Sequence, residues 1–225
     1  MIDVEPFFLT FKLALTTTIV LFVIGIPLAY WLAFNRSPWK VLPEAIVGLP
    51  LVVPPSVLGF YLLMAFSPEN AFGHFLESYF DVRLVFTFPG LVVASVIYSL
   101  PFMIQPLQSG FAMVPISLVE TAYTLGKSRF TVVTRVLLPN MKAAIISACV
   151  LSFAHTVGEF GIVLMVGGNI PHETRVASVA IYDEVEAMNY TQANVYSSIL
   201  LIFSFLVLIS VYTVNRRMQK VNYQS

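Results

Sequence analysis

Charge is scarce in this chain. Only 11% of its 225 residues are charged, 58% are hydrophobic, and the formal net charge is zero. Soluble domains carry about 25% charged residues, so a soluble globule of this length could not hide so much apolar surface. The solvent for much of the chain is lipid. Cysteine is almost absent. The single Cys149 sits in an apolar run, which excludes a disulfide framework and a thiolate metal site and leaves a small hydrophobe. The N-terminus, MIDVEPFF, is acidic and lacks a basic n-region, so the first apolar block reads as a retained span and not as a cleaved leader. There is no internal repeat, and the halves do not match as inverted repeats do, which disfavours several secondary-transporter folds. No basic cluster lies within an apolar block, and no polar segment is long enough for a sizeable soluble domain or a nucleic-acid surface.

What the chain does have is five long apolar blocks, at about 9–34, 44–66, 89–111, 141–165 and 195–214. Crossing about 30 Å of hydrocarbon takes roughly 20 residues as a helix, and lipid offers no partners to open strand edges. The expected fold is an all-α integral membrane protein with five transmembrane helices in a single domain spanning 1–225. Charge orients it. Segments 35–43, 112–142 and the tail after 214 hold nine of the twelve basic residues: Arg36, Lys40, Lys127, Arg129, Arg135, Lys142, Arg216, Arg217 and Lys220. Segments 1–12, 67–88 and 167–194 hold only Lys12, Arg83 and Arg175. By the positive-inside rule the first set is cytoplasmic, the N-terminus lies outside and the C-terminus inside. The acids split the other way. Nine of them (Asp3, Glu5, Glu69, Glu77, Asp81, Glu173, Asp183, Glu184 and Glu186) fall outside against three bases, a balance of −6 on that face. The outer stretch 173–190 has room for a short helix, either on the membrane surface or tucked between spans.

The cytoplasmic segment 115–139 is the most polar island between two apolar blocks. Ser117 followed by Glu120 fits a capping box, Gly126 fits the position after a helix end where a left-handed backbone is needed, Ser128 fits the cap of a second helix, and Pro139 breaks the chain before the fourth span. Gly126-Lys127-Ser128 ends like a phosphate-binding loop, but the first glycine of that motif would fall at Thr121, and no strand precedes it. ATP binding by this chain is therefore excluded.

Glu120, Ala122, Gly126, Val136, Leu138 and Pro139 keep the spacing E-A-A-x3-G-x9-I-x-L-P, with Thr121 in place of the first Ala and Val136 in place of Ile. In this the chain resembles the membrane subunits of ABC-type importers, whose cytoplasmic loop carries that pattern. The runs GLPLVVPPSVLGFYLL (48–63) and GEFGIVLMVGGNIPHETRVASVAIY (158–182) look like the permeases of molybdate importers, in the short, five-span form; sulfate permeases are relatives with the same loop. The resemblance implies a type I ABC importer permease fold, multi-pass in the bacterial inner membrane. It implies a short coupling helix bearing Glu120, Thr121, Ala122, Gly126, Leu138 and Pro139 that docks on a separate ATPase. Glu120 has two readings, helix cap or contact to that ATPase. The implied partners are a second copy of the chain (a homodimer), two ATPase copies, a molybdate-binding protein on the outer face, and lipid. The implied activity is ATP-driven molybdate import by alternating access, with tungstate or sulfate as alternative cargo and a stand-alone secondary transporter as the rival class. The chain itself is expected to be no enzyme and to need no cofactor or metal.

Polar groups inside the blocks mark pore or gate candidates. Pro50, Pro54 and Pro55 interrupt the second block, which is tolerable only against protein or a water-lined path; Pro54, Pro55 and Ser56 are the candidates there. His155 and Glu159 lie one helical turn apart in the fourth block, where ionisable groups are costly and default to function. A structural or gating role is preferred to direct substrate contact, because Glu159 repels an oxyanion unless it is paired or protonated. Lys12 is placed to snorkel outward, and Thr16, Thr17 and Thr18 to bond back to their own backbone.

Overall fold

A computed structural model describes the backbone of residues 3–222, and in the last helix the side chains as far as Ser210 together with Tyr212 and Thr213. Arg216, Arg217 and Lys220, used above to orient the chain, lie outside the described side chains. The described residues form helices and no strand. The first, α1, spans Glu5–Phe34; then come α2 (Val41–Gly48), α3 (Pro55–Phe66), α4 (Ala71–Phe80) and α5 (Phe88–Met113). The segment after it holds α6 (Ile116–Thr124), α7 (Arg129–Val132), a π-helical turn Val133–Leu137 and α8 (Leu138–Asn140). Then α9 (Lys142–Val157), α10 (Gly161–Gly167), α11 (Ala177–Glu186) and α12 (Tyr190–Asn222) complete the chain.

Among the described residues three helices are long and apolar enough to cross a membrane: Glu5–Phe34, Phe88–Met113 and Tyr190–Ser210. The second and fourth blocks depart from the single straight spans that hydropathy suggests. Pro38–Leu51 meets Pro55–Phe66 at 109°, and Arg129–Asn140 meets Lys142–Val157 at 80°. In the second block the cause is proline. Pro54 takes the extended ψ of 138°, Pro54 and Pro55 donate no N–H, and each disfavours helix in the residue before it. The fourth block also stops at Gly158 and resumes at Gly161, with Phe160 at φ −130° and ψ −64° between them.

Helices α1, α5 and α9 make the centre. Leu21, Leu32, Met103, Ile104, Leu107, Phe111 and Ala148 are buried in one cluster there. Between lipid-immersed helices such burial gains little dehydration, so the stabilisation comes from fit, at about 0.1–0.2 kcal/mol per atom pair. Close approach therefore matters. The short α3 packs on α10 through Gly59, where an added Cβ would sit 3.0 Å from the Met165 Cβ and 3.2 Å from the Ile162 Cα. A backbone atom cannot yield as a side chain can.

Helix α11 is tucked in and not laid on the surface. Ala177, Val179 and Ala180 are buried, and the Ala177 N–H donates to Thr10 Oγ1 at 2.8 Å. Several of the acids expected on the outer face are neutralised locally. Glu5 pairs with His172, and Asp183 pairs with Arg175 at 3.1 Å and accepts from Asn169. Glu69, Glu77, Asp81 and Glu173 stay exposed without an ion-pair partner among the described residues, so the free negative charge of that face is smaller than a bare count gives. Thr18 bonds back to the Ala14 carbonyl at 2.7 Å as expected, whereas Thr17 Oγ1 is buried with no partner among the described residues. Lys12 lies with its Nζ 4.4 Å from the Phe88 ring centre, a cation–π contact.

Gly59→Val should loosen the α3–α10 pair and lower stability by about 1–3 kcal/mol, read as a fall in the thermal midpoint of the purified protein in detergent, while Val57→Ile on the exposed side of α3 should leave the midpoint in place.

Candidate functional site

The break between α9 and α10 is built around one buried carboxyl group. The Glu159 side chain is fully buried. Ser95 Oγ donates to its Oε2 at 2.5 Å and Ser99 Oγ to its Oε1 at 2.8 Å. Ser95 and Ser99 are one turn apart on α5, so both hydroxyls face α9. The Ser99 oxygen also lies 2.8 Å from His155 Nδ1 and 2.9 Å from Thr156 Oγ1. The Glu159 backbone carbonyl, orphaned where α9 ends, accepts from Ser178 Oγ at 2.5 Å. One knot thus ties α5, α9 and α11 together across a chain break. It replaces the water that the carboxyl loses on burial, a loss that otherwise costs several kcal/mol.

His155 sits at the edge of this knot. Its ring stacks on Phe102 with centres 3.9 Å apart and tilts against Tyr98 at 4.7 Å. Its side chain is 19% exposed, and it lines an open groove of about 580 Å³ with Pro55, Ser56, Tyr98, Phe160 and Gly161. Glu159 forms part of the floor, with its carboxyl closed off. The break in the second block is what brings Pro55 and Ser56 here, on the first turn of α3. Four of the five pore or gate candidates therefore meet at one groove, and Pro54 stands just outside as the residue before α3. Sequence reading missed Ser95, Ser99 and Ser178. The signal was present as two serines four apart in the apolar first half of α5, the spacing of a shared face. No group of three or more His, Cys, Asp or Glu converges among the described residues.

The polar segment 115–139 is a second, separate feature. Pro115 precedes α6, and no side chain caps that end. The expected capping box is therefore absent: with Pro115 in the capping position, Ser117 already lies within the first turn, and its carbonyl accepts from Thr121 Oγ1 at 2.7 Å. Glu120 is left exposed. The other end is as expected. Gly126 has φ +71°, and the Lys127 N–H reaches the Ala122 carbonyl at 3.1 Å while the Gly126 N–H reaches that of Tyr123 at 2.9 Å, the paired bonds of a Schellman motif. Ser128 caps α7 by accepting from the Thr131 N–H at 3.3 Å. Ala122 turns inward with Val119 and joins the central cluster alongside Val132, Leu137 and Met141. Leu138 is half-buried and packs on the same cluster, and Pro139 is exposed. Other apolar side chains of this segment are open: Leu118 is 42%, Leu125 69% and Phe130 78% exposed, while Tyr123 lines a hollow with Tyr30, Trp31 and Phe34 of α1. Leu118, Tyr123, Leu125 and Phe130 escaped sequence reading, because apolar residues in a membrane protein carry no mark of their own.

Comparison with known proteins places these features. The family described as binding-protein-dependent transport system inner membrane component matches residues 25–220. The molybdenum transport system permease protein ModB of Azotobacter vinelandii is 48% identical over 214 residues, 95% of either chain. The sulfate transport system permease protein CysT of Salmonella typhimurium is 33% identical over 87% of this chain and 70% of its own. Among solved structures, a chain of the bacterial alginate ABC transporter in complex with alginate pentasaccharide-bound periplasmic protein superposes with a TM-score of 0.76 at 18% identity, covering 94% of this chain and 77% of that one.

Glu159→Ala should strand the Ser95 and Ser99 hydroxyls and destabilise the protein by about 1–3 kcal/mol, whereas Glu159→Gln, which still offers one acceptor, should lose less; thermal midpoints of the two variants in detergent check the order.

Proposed function

Because the chain belongs to the family of binding-protein-dependent transport system inner membrane components, we propose that it carries molybdate, along a path that includes the groove between α3, α9 and α10. The chain is the permease component of an ABC importer and a multi-pass protein of the inner membrane. The cargo rests on one observation: the similarity to a molybdenum permease runs over almost the whole chain and exceeds that to a sulfate permease.

Energy comes from outside the chain. ATP is hydrolysed on a separate subunit, present in two copies, which docks on segment 115–139 over Leu118, Glu120, Leu125 and Phe130. The exposure of those three apolar side chains supports this, as does Glu120, which takes no part in capping its own helix. Gly126 and the two helix ends around it hold the segment at a fixed angle, and Ala122 and Leu138 anchor it to the central cluster, so a push on the loop reaches α5 and α9. Five crossings with the N-terminus outside put this loop in the cytoplasm. A second copy of the chain closes the other half of the pore, because one set of five helices encloses no channel.

On the outer face a binding protein delivers the anion. A dianion is not concentrated by an acidic surface, and Glu69, Glu77, Asp81 and Glu173 remain exposed there to seat that protein. Two states, one open outward with ATP bound and one open inward after hydrolysis, move the cargo; both ligands act by biasing that equilibrium.

In a strain deleted for this chain, the wild-type copy should restore uptake of labelled molybdate, with unlabelled tungstate competing and sulfate competing poorly; preferred uptake of sulfate would overturn the cargo. Gly126→Trp, which forces a bulky side chain into left-handed backbone at the docking face, should abolish uptake while membrane insertion stays normal, and wild-type uptake in that variant would contradict the coupling role.

A further inference from the structure

We propose that His155 is the hydrogen-bond donor that a tetrahedral oxyanion meets in the groove, and that Ser99 and the buried Glu159 switch it on by sharing one proton with it. This rests on the reading of the groove as part of the cargo path.

The geometry narrows the donors. The groove has one side chain able to become a cation, His155. Its Nδ1 is engaged by Ser99 at 2.8 Å, and Nε2 makes no hydrogen bond among the described residues. Phe102, stacked at 3.9 Å, and Tyr98 fix the plane of the ring. Glu159 cannot meet the anion, because its carboxyl is sealed beneath Ser95 and Ser99. The titratable groups against the ring among the described residues are Glu159 and Tyr98 on α5; Ser99 and Phe102 also touch it.

Proton bookkeeping then gives two states. With no extra proton, both serines donate to a Glu159 carboxylate, the His155 Nδ1–H donates to Ser99 Oγ, and Nε2 carries a lone pair. That lone pair repels an oxyanion. One proton taken from water changes this. Placed on Nε2 it makes an imidazolium facing the groove, compensated through Ser99 by the carboxylate. Placed on the carboxyl, which then donates to Ser99 while Ser99 donates to Nδ1, it leaves an Nε2–H in the same position. Either way Nε2 becomes a donor. The charge is balanced by Glu159, so the anion is held weakly, as a path that must also release its cargo requires. His155 is the contact residue, and Ser99 and Glu159 are positioning residues.

The test uses the complete complex, permease with its ATPase and binding protein, in proteoliposomes loaded with ATP, with labelled molybdate as the probe. His155→Leu should lower the maximal uptake rate about ten- to a hundredfold and leave KM, which the binding protein sets, unchanged. His155→Gln, which keeps an amide donor, should recover most of the rate. Wild-type uptake should rise as the medium is acidified, and Ser99→Ala should flatten that profile while binding-protein-stimulated ATP hydrolysis persists, which shows an assembled, coupled complex. A wild-type rate in His155→Leu, or an unaltered pH profile in Ser99→Ala, would overturn the proposal. Failure of the cargo reading is separate: it appears as wild-type complex that transports sulfate and not molybdate.

Discussion

Burial of the Glu159 carboxyl in a membrane-spanning bundle is the constraint on which the surrounding architecture depends. A carboxyl in that setting is expensive, and it is tolerated because two hydroxyls of α5 fill its acceptor sites and a hydroxyl of α11 takes the backbone carbonyl beside it. Those bonds have a structural consequence. They join three helices where α9 stops, so the chain can break there without leaving polar groups in hydrocarbon. The break in turn opens the groove and frees α10 to pair with α3. The second break, at Pro54 and Pro55, faces the first across the same groove. Neither break is affordable alone in lipid, since irregular backbone survives there only against protein or water.

The two functional regions sit at opposite ends of one rigid centre. Leu107 and Phe111 on α5 pack in the same cluster as Val119, Ala122 and Leu137 of the segment 115–139. Ser95 and Ser99, three turns earlier on α5, hold the carboxyl knot. A displacement of the loop therefore has a stiff element along which to act on the groove. The Schellman turn at Gly126 matters for the same reason: it pins the angle between α6 and α7, so a force on the segment is transmitted and not absorbed. This mechanical role suits the permease component of an ABC importer.

Much of this was legible in the residues, and the failures have physical causes. Hydropathy located all the apolar blocks, because lipid imposes a length and a composition on each. It could not see the 109° turn in the second, since average hydropathy is blind to a missing N–H; the three prolines were the visible sign. The spacing from Glu120 to Pro139 pointed to the glycine turn, which is there at Gly126. It misplaced the helix start, because Pro115 captured the capping position ahead of Ser117. His155 and Glu159 stood out as ionisable groups in an apolar run, but their partners did not. Serine is common in such helices, and only packing tells which hydroxyls face a carboxyl and which bond back to their own backbone. The exposed Leu125 and Phe130 were unreadable for the opposite reason, since they look like every other apolar residue in the chain.

In the proposed mechanism the groove between α3, α9 and α10 opens to the outer face only when the ATPase drives it. A chain with Cys149→Ala and Ser56→Cys, assembled with its ATPase and binding protein, gives a single thiol at the groove wall. Its labelling by a membrane-impermeant thiol reagent added from the outside measures access directly. The account predicts rapid labelling with ATP bound and hydrolysis blocked, and protection without nucleotide; equal labelling in the two conditions would contradict it.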